Sequence, residues 1–428
     1  MKDLGKTAKA YALKNAIAYN GKANPGAVIS ALFNEGLKKE DVKKYAKEIS
    51  KIVSEVNKLS LDKQKKEFEK NKSVVSERKV REGLPDLPNA KKGKVVMRFA
   101  PSASGPLHIG HAATGCISFL LAQKYGGKFY VRIEDTNPEN IYPQSYKMIT
   151  NESKWLFDNK AKIVIQSDRM KLYYAYAEKL IKKAAAYVCT CSGDDFRKFV
   201  AEKKNCPCRD LSVKENLERW EKMLASQAYT QKGHENLQAG PDKFSKKIST
   251  KRNKKGFGEG EAVLRFKSDM TDKNPAMRDF PLARINLANH ARQKKKYRVW
   301  PLMNLAVTTD DIEMKMTHVI RAKDHRDNAE RQRKIYKALG LEKQFPWTAF
   351  LGRIKFKDLE LSTTKMREAI ESRKFKGWDD ERLPTLASLK KQGYKPEMFW
   401  KFAERVGLSE SDKTLDKKEY FILLNSFK

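Results

Sequence analysis

The chain has 428 residues, 40% of them hydrophobic: too long for one ordinary core and too apolar for disorder throughout, so two to four domains are expected. Its 89 Lys and Arg against 53 Asp and Glu leave a formal charge of +36, an excess that favours a polyanionic partner. No run approaches the roughly 18 apolar residues of a membrane span, and the N-terminus lacks the apolar core of a signal peptide. Five cysteines then suggest metal ligands or buried thiols in a cytoplasmic protein, without disulfides.

Residues 1–92 read as a basic helical extension. "TAKAYALKNAIAYN" and "DVKKYAKEISKIVSEVNKLSLDKQKKEFEK" carry apolar residues at three- and four-residue spacing. "NGKANPG" interrupts them, and "GLPDLPNAKKGK" reads as a linker. Over 93–188 the texture changes. "KVVMRFA" and "KFYVRIED" predict strands on either side of the helical "GHAATGCISFLLAQKYGG", a βαβ unit and hence a parallel sheet. Residues 189–296 differ again: paired cysteines, the charged helix "SVKENLERWEKMLASQ", the basic tract "KFSKKISTKRNKKGFGEG" and the strand "EAVLRFKSD". The α/β texture returns over 297–345, where "MTHVIRAKDH" runs from strand into helix. From 346 to 428 the chain reads as mostly helical, and no internal repeat is visible.

The densest stretch is "RFAPSASGPLHIGHA", Arg98 to Ala112. A loop that leaves a strand and opens a helix lies at the carboxyl edge of a parallel sheet. There the free N–H groups and the positive end of the helix face a ligand phosphate. Gly105 and Gly110 allow close backbone approach, and Pro101 and Pro106 stiffen the loop. His108 and His111, spaced i and i+3, can turn both rings to one side. They could bind nucleotide phosphates and stabilise charge at an attacked phosphorus, or serve only as capping or packing groups.

"CTCSGDDFRKFVAEKKNCPC" places Cys189, Cys191, Cys206 and Cys208 in a C-x-C…C-x-C arrangement. Four thiolates across one loop suit a structural, tetrahedral Zn²⁺ with no open position; the competing reading is reduced cysteines on a surface loop. Cys116, on the helix after the histidines, reads as core.

"RFAPSASGPLHIGHA", "RIEDTNP" (Arg132–Pro138), "HVIRAKDH" and "LSTTK", in that order, resemble the class I aminoacyl-tRNA synthetases, and specifically the archaeal-type glutamyl-tRNA synthetases. The resemblance extends from the helical N-terminal segment to "RLPTLASLKKQGYKPEMFWKFAERVGLSESD". It implies a Rossmann-type catalytic domain split at 93–188 and 297–345, an inserted zinc-containing acceptor-end domain, and helical segments at both ends. The implied reaction is ATP-dependent activation of glutamate to glutamyl-adenylate, with Mg²⁺, followed by transfer to the 3′ end of tRNA. His108-Ile109-Gly110-His111 matches the HIGH signature. Leu361–Lys365 looks like a degenerate KMSKS loop, with Lys365 holding the leaving phosphates. Pro101, Gly105, Gly110 and Ser362 complete the implied ATP site. For glutamate the resemblance implies Arg98 at the side chain, Glu134 at the ammonium, Arg321 as a second carboxylate-facing cation, and Ala100, Ser102 and His325 around them, with Asp324 at the edge. Asp135 and Thr136 are expected in a local turn. The chain departs from the family at Met303, where a tyrosine is usual, at Ile312, where a histidine is usual, and at Lys315, where a glycine is usual.

The implied partners are glutamate and a glutamate-accepting tRNA, with a glutamine-accepting tRNA as a further candidate; a monomer with no membrane association is expected. Nothing after Asp412 has the length or alternation of the anticodon-binding β-barrel that follows in the family, so no anticodon reader is expected in this chain. The alternative function is a divergent synthetase-like protein that binds or modifies tRNA with weak or no charging.

Overall fold

A computed structural model describes residues 3–76, 83–225, 256–359 and 361–427. Most of the basic tract "KFSKKISTKRNKKGFGEG", residues 243–255, lies outside the described residues. The chain forms two compact units, Met1–Arg81 and Glu82–Lys428.

The first unit is helical, as its periodicity predicts: Leu4–Ala18, Pro25–Leu32, Val42–Asn57 and Leu61–Asn71. Ala8, Leu13, Val28, Leu32, Ile49 and Val53 form its core. The long pattern from Asp41 to Lys70 is two helices, broken at Lys58–Ser60. The buried Gln64 amide makes that break tolerable. It donates to the carbonyls of Gly21, Val56 and Leu59, tying the end of one helix and the link after it to the turn that follows the first helix.

The second unit holds the mixed α/β part. The expected linker opens it and is no free tether: Leu87 is buried and its N–H donates to the Tyr125 hydroxyl (3.0 Å). Strands β1 (Val96–Phe99), β2 (Lys128–Ile133) and β3 (Lys162–Ile165) pair in parallel in the order β1-β2-β3. Strands β4 (Ala186–Cys189), β5 (Val263–Phe266), β6 (Pro281–Ile285) and β7 (Val299–Pro301) form a separate antiparallel sheet. It extends a few residues beyond the expected 189–296 at both ends, because Ala186–Val188 and Val299–Pro301 find their partners there.

Strands β8 (His318–Ala322) and β9 (Trp347–Leu351) return to parallel pairing. The Val96 N–H donates to Thr317 Oγ1 (2.9 Å) and the Thr317 N–H to Val96 O (3.0 Å). These two bonds set the β8-β9 ladder beside β1, the edge strand of the β1-β2-β3 ladder. Parallel pairing therefore runs past the boundary expected at 345. The C-terminal segment is also less helical than its sequence suggests, since β10 (Ile354–Phe356) pairs in parallel with β11 (Lys413–Leu415). Such three-residue strands are too short to show alternation. Helix Ile109–Lys124 covers the sheet with Phe119 against Phe129, Phe157 and Trp400, and the last of these belongs to helix Pro396–Val406. No helix among the described residues is long and apolar enough to cross a membrane.

Candidate active site

Between β1 and β8 the strand order reverses direction. The connections from β1 and β8 leave a crevice at the carboxyl ends, where open α/β sheets bind ligands. A cavity of about 610 Å³ lies there. Its wall includes Arg98, Ala100, Pro101 and Ser102 after β1, Gly110 and both histidines at the helix start, Glu134 after β2, and Arg321 and His325 at the end of β8. Leu361 also lines it. Gly105, Ser362 and Lys365 lie off its wall. Instead, a Cβ at Gly105 would sit 3.2 Å from the Thr363 side chain, so this glycine lets the loop approach the LSTTK segment. Ser362 caps helix Thr363–Glu371 by accepting the Lys365 N–H (3.3 Å).

The two histidines cap and face the cavity at once. His108 is the N-cap of helix Ile109–Lys124, and its Nδ1 accepts the Gly110 N–H (3.1 Å). His111 Nδ1 accepts the His108 N–H (3.3 Å). The rings stack with centroids 3.7 Å apart. Because each Nδ1 is an acceptor, each neutral ring carries its proton on Nε2. Burial pushes the His111 pKa down to about 4, and burial together with His111 pushes His108 well below its ordinary value. They are therefore neutral N–H donors near pH 7, not cations.

The expected glutamate-binding cations sit in a larger buried network. Arg98 donates through Nε (3.0 Å) and Nη2 (3.3 Å) to the two oxygens of Asp311, a bidentate pair. Arg132, fully buried in β2, donates to Asp311 Oδ1 (2.6 Å) and Glu134 Oε1 (3.2 Å). Arg321 lies 4.0 Å from Asp311 and donates to Gln332 Oε1 (3.0 Å). Asp310 accepts from Arg169 Nε (2.6 Å), Gln166 Nε2 (2.9 Å) and the Tyr173 hydroxyl (2.9 Å). Burial opposes ionisation of Asp311, but Arg98 and Arg132 outweigh it and hold its carboxyl below the usual range. Burial, reinforced by Arg98, brings the Arg321 pKa down to about 10. Burial and Arg321 likewise keep His325 low, and hence neutral.

Sequence reading missed Arg132, Asp310 and Asp311. A signal was present. An arginine inside a parallel strand and adjacent aspartates in the apolar helix Met303–Glu313 must be buried, and buried charges must pair. Asp135 also differs from expectation. Its carboxylate closes no local turn but accepts the Ser167 N–H (2.8 Å) and the Tyr146 hydroxyl (2.7 Å), while His290 Nε2 bonds to its backbone carbonyl (2.9 Å). Of the family departures, Met303 is 39% exposed on the cavity wall. Ile312 packs instead against the apolar cluster of the antiparallel sheet, away from the cavity. Lys315 stands at φ +54°, in the left-handed region.

The four cysteines 189, 191, 206 and 208 converge, and no two of them form a disulfide. All four Sγ atoms lie within 4.8 Å of one another, with Cys189–Cys206 and Cys191–Cys208 at 3.8 Å. A tetrahedral zinc with Zn–S near 2.3 Å has S···S edges of about 3.8 Å, so the donor set fits that ion. Arg219 Nη1 (3.4 Å) and the Thr190 N–H (3.4 Å) point at Cys208 Sγ, as thiolate-orienting donors would.

The sequence matches the family described as tRNA synthetases class I (E and Q), catalytic domain, over residues 94–239 and 229–425. A glutamate–tRNA ligase of Methanothermobacter marburgensis is 40% identical over 417 residues, covering 96% of this chain and 69% of that protein. That of Methanobrevibacter smithii is 40% identical, covering 100% and 71%, and that of Pyrococcus furiosus 41% identical, covering 96% and 68%. With HIGH and LSTTK signatures, a switch-point cavity and this similarity, the chain belongs to the class I tRNA synthetases of the glutamate and glutamine group, among the glutamate–tRNA ligases.

Proposed function

We propose that the cavity activates glutamate through a charge-matched buried network, and that this is the observation on which its amino-acid selectivity rests. Four guanidiniums, those of Arg98, Arg132, Arg169 and Arg321, face three carboxylates, those of Asp310, Asp311 and Glu134. One positive charge is left over in a buried site. Glutamate, with two carboxylates and one ammonium, brings one net negative charge; glutamine brings none. Arg98 and Arg321 then hold the two carboxylates, Glu134 holds the ammonium, and Ala100, Ser102 and His325 complete the walls. Asp311 occupies Arg98 through Nε and Nη2, which leaves Nη1 to turn toward the substrate.

On the nucleotide side, the positive end of helix Ile109–Lys124 and the Nε2–H groups of His108 and His111 meet the ATP phosphates. Pro101 and Gly110 shape that approach. Lys365 follows the phosphates as they leave, while Gly105 and Ser362 set the shape of the loops. This division of labour is stabilisation by prepositioned donors, without a protein nucleophile. Mg²⁺ enters with ATP, held mainly by phosphate and water oxygens. Zn²⁺, on the four cysteines, braces the antiparallel-sheet insertion, which receives the acceptor end of tRNA. The basic excess supplies salt-dependent affinity for its phosphates.

The experiment is ATP–pyrophosphate exchange with glutamate and with glutamine, each with and without tRNA. Exchange that requires glutamate and is lost with glutamine supports the reading. Equal exchange with both amino acids sinks the charge-matching argument, and no exchange under any condition sinks the catalytic one.

A further inference from the structure

The buried network holds one guanidinium more than its carboxylates balance, and the hydrogen bonds point to which one. Asp311 is committed to two others. Its Oδ1 accepts from Arg98 Nε (3.0 Å) and Arg132 Nη1 (2.6 Å), and its Oδ2 from Arg98 Nη2 (3.3 Å). Arg321 Nη2 stays 4.0 Å from Asp311 Oδ2, beyond hydrogen-bond range. Arg321 Nε is buried and has no partner among the described residues. What holds this guanidinium, only 8% exposed, is the bond from its Nη1 to Gln332 Oε1 (3.0 Å).

Gln332 comes from helix Arg326–Leu339, is buried, and shares the cavity wall with Arg321. The orientation of its amide follows from chemistry. A guanidinium only donates, so Oε1 faces Arg321, and Nε2 donates to Asn304 Oδ1 (3.4 Å) at the start of the helix that carries Asp311. A buried arginine is ordinarily met by a carboxylate. A glutamate of the same shape at 332 would pair with Arg321 and cancel the surplus charge of the network. The amide instead fixes the guanidinium between two helices and leaves its charge in place.

We propose that Gln332 is a specificity-determining positioning residue: it clamps Arg321 through Nη1 and, being neutral, keeps the charge of Arg321 available to a carboxylate of the amino acid. Arg321 retains Nε and Nη2 for that carboxylate. The inference deepens the charge-matching reading given above and rests on it.

The test uses the full chain with tRNA present. It reads KM for glutamate in ATP–pyrophosphate exchange and Ki for glutamine as a competitor. Gln332→Glu is isosteric; Asn304 can turn its amide to donate to the new carboxylate, and Arg321 beside it keeps that carboxylate ionised. This variant should raise KM for glutamate roughly tenfold or more. Ki for glutamine should hold or fall, and KM for ATP and the melting midpoint should stay near wild type. Gln332→Met keeps the bulk and the surplus charge but releases Arg321. It should raise KM for glutamate roughly fivefold, the worth of one hydrogen bond, with glutamate still preferred over glutamine. A merely structural role would weaken both amino acids together and lower the melting midpoint in both variants. A wild-type preference for glutamate in Gln332→Glu overturns the proposal and leaves charge matching standing. If that variant does not fold, Gln332→Met decides, and a wild-type KM for glutamate overturns the proposal. If the unmodified protein does not prefer glutamate to glutamine, the charge-matching reading has failed and this inference falls with it.

Discussion

His108 and His111 stack ring on ring at 3.7 Å, and each takes a backbone N–H on Nδ1. In the proposed reaction, capping and catalysis are thus one arrangement: the cap fixes the tautomer, and the tautomer leaves a neutral Nε2–H for the phosphates. Replacing His111 by Ala should cut adenylate formation about a hundredfold, as loss of one prepositioned donor does, while glutamate affinity changes much less. Near-normal exchange in that variant would show that the ring serves only the helix end.

The same burial predicts a pH signature. Unfolded histidine titrates near pH 6.5, whereas His111 in the native site has a pKa of about 4 and His108 is also strongly depressed. Between those values the unfolded chain binds protons that the native chain refuses. The stability from these rings is therefore complete above about pH 6.5 and falls as pH drops toward 4. Urea midpoints measured at pH 7.5 and 5 should fall more for wild type than for His111→Gln. Equal losses would refute the depressed values.

Much of this was legible in sequence. "KVVMRFA" and "KFYVRIED" became β1 and β2, the histidine turn opened its helix, and the cysteines converged. What escaped was set by distant partners. Asp310 and Asp311 acquire meaning only when Met303–Glu313 folds beside β1 and β2 and delivers them to Arg98 and Arg132. β9, β10 and β11 are short strands whose pairing, not their pattern, defines them.

The cysteine cluster predicts about one zinc per chain. Chelation should loosen the β4–β7 sheet, because Cys189 ends β4 and Tyr187, beside it on that strand, contacts Cys206. Proteolysis should then cut within the insertion while the parallel sheet stays protected. Purified protein with no zinc and four freely reactive thiols would end this assignment.

Met303 places a thioether on the cavity wall where a tyrosine hydroxyl is usual in the family. Met303→Tyr should add one hydrogen bond to bound glutamate, lowering KM roughly fivefold at about 1 kcal/mol, with KM for ATP little changed. A higher KM for glutamate would mean that the surrounding wall has adapted to the thioether and that the ring collides with it.

Lys315 closes the helix that carries Asp310 and Asp311. The Met316 N–H bonds back to Asp311 O (2.9 Å) and the Lys315 N–H to Ile312 O (3.0 Å), the hydrogen-bond pattern of a Schellman end with Lys315 at φ +54°. That conformation costs a side-chain-bearing residue about 1–2 kcal/mol, and glycine adopts it without penalty. Glycine also gains freedom in the unfolded chain, which offsets part of the benefit. Lys315→Gly should therefore stabilise the second unit by about 0.5–1 kcal/mol. Exchange kinetics should be unaltered, because Lys315 lies off the cavity wall. Denaturant midpoints of the two proteins decide it. An unchanged or lower midpoint for the glycine variant would mean that the lysine side chain earns its position through contacts that outweigh the backbone strain.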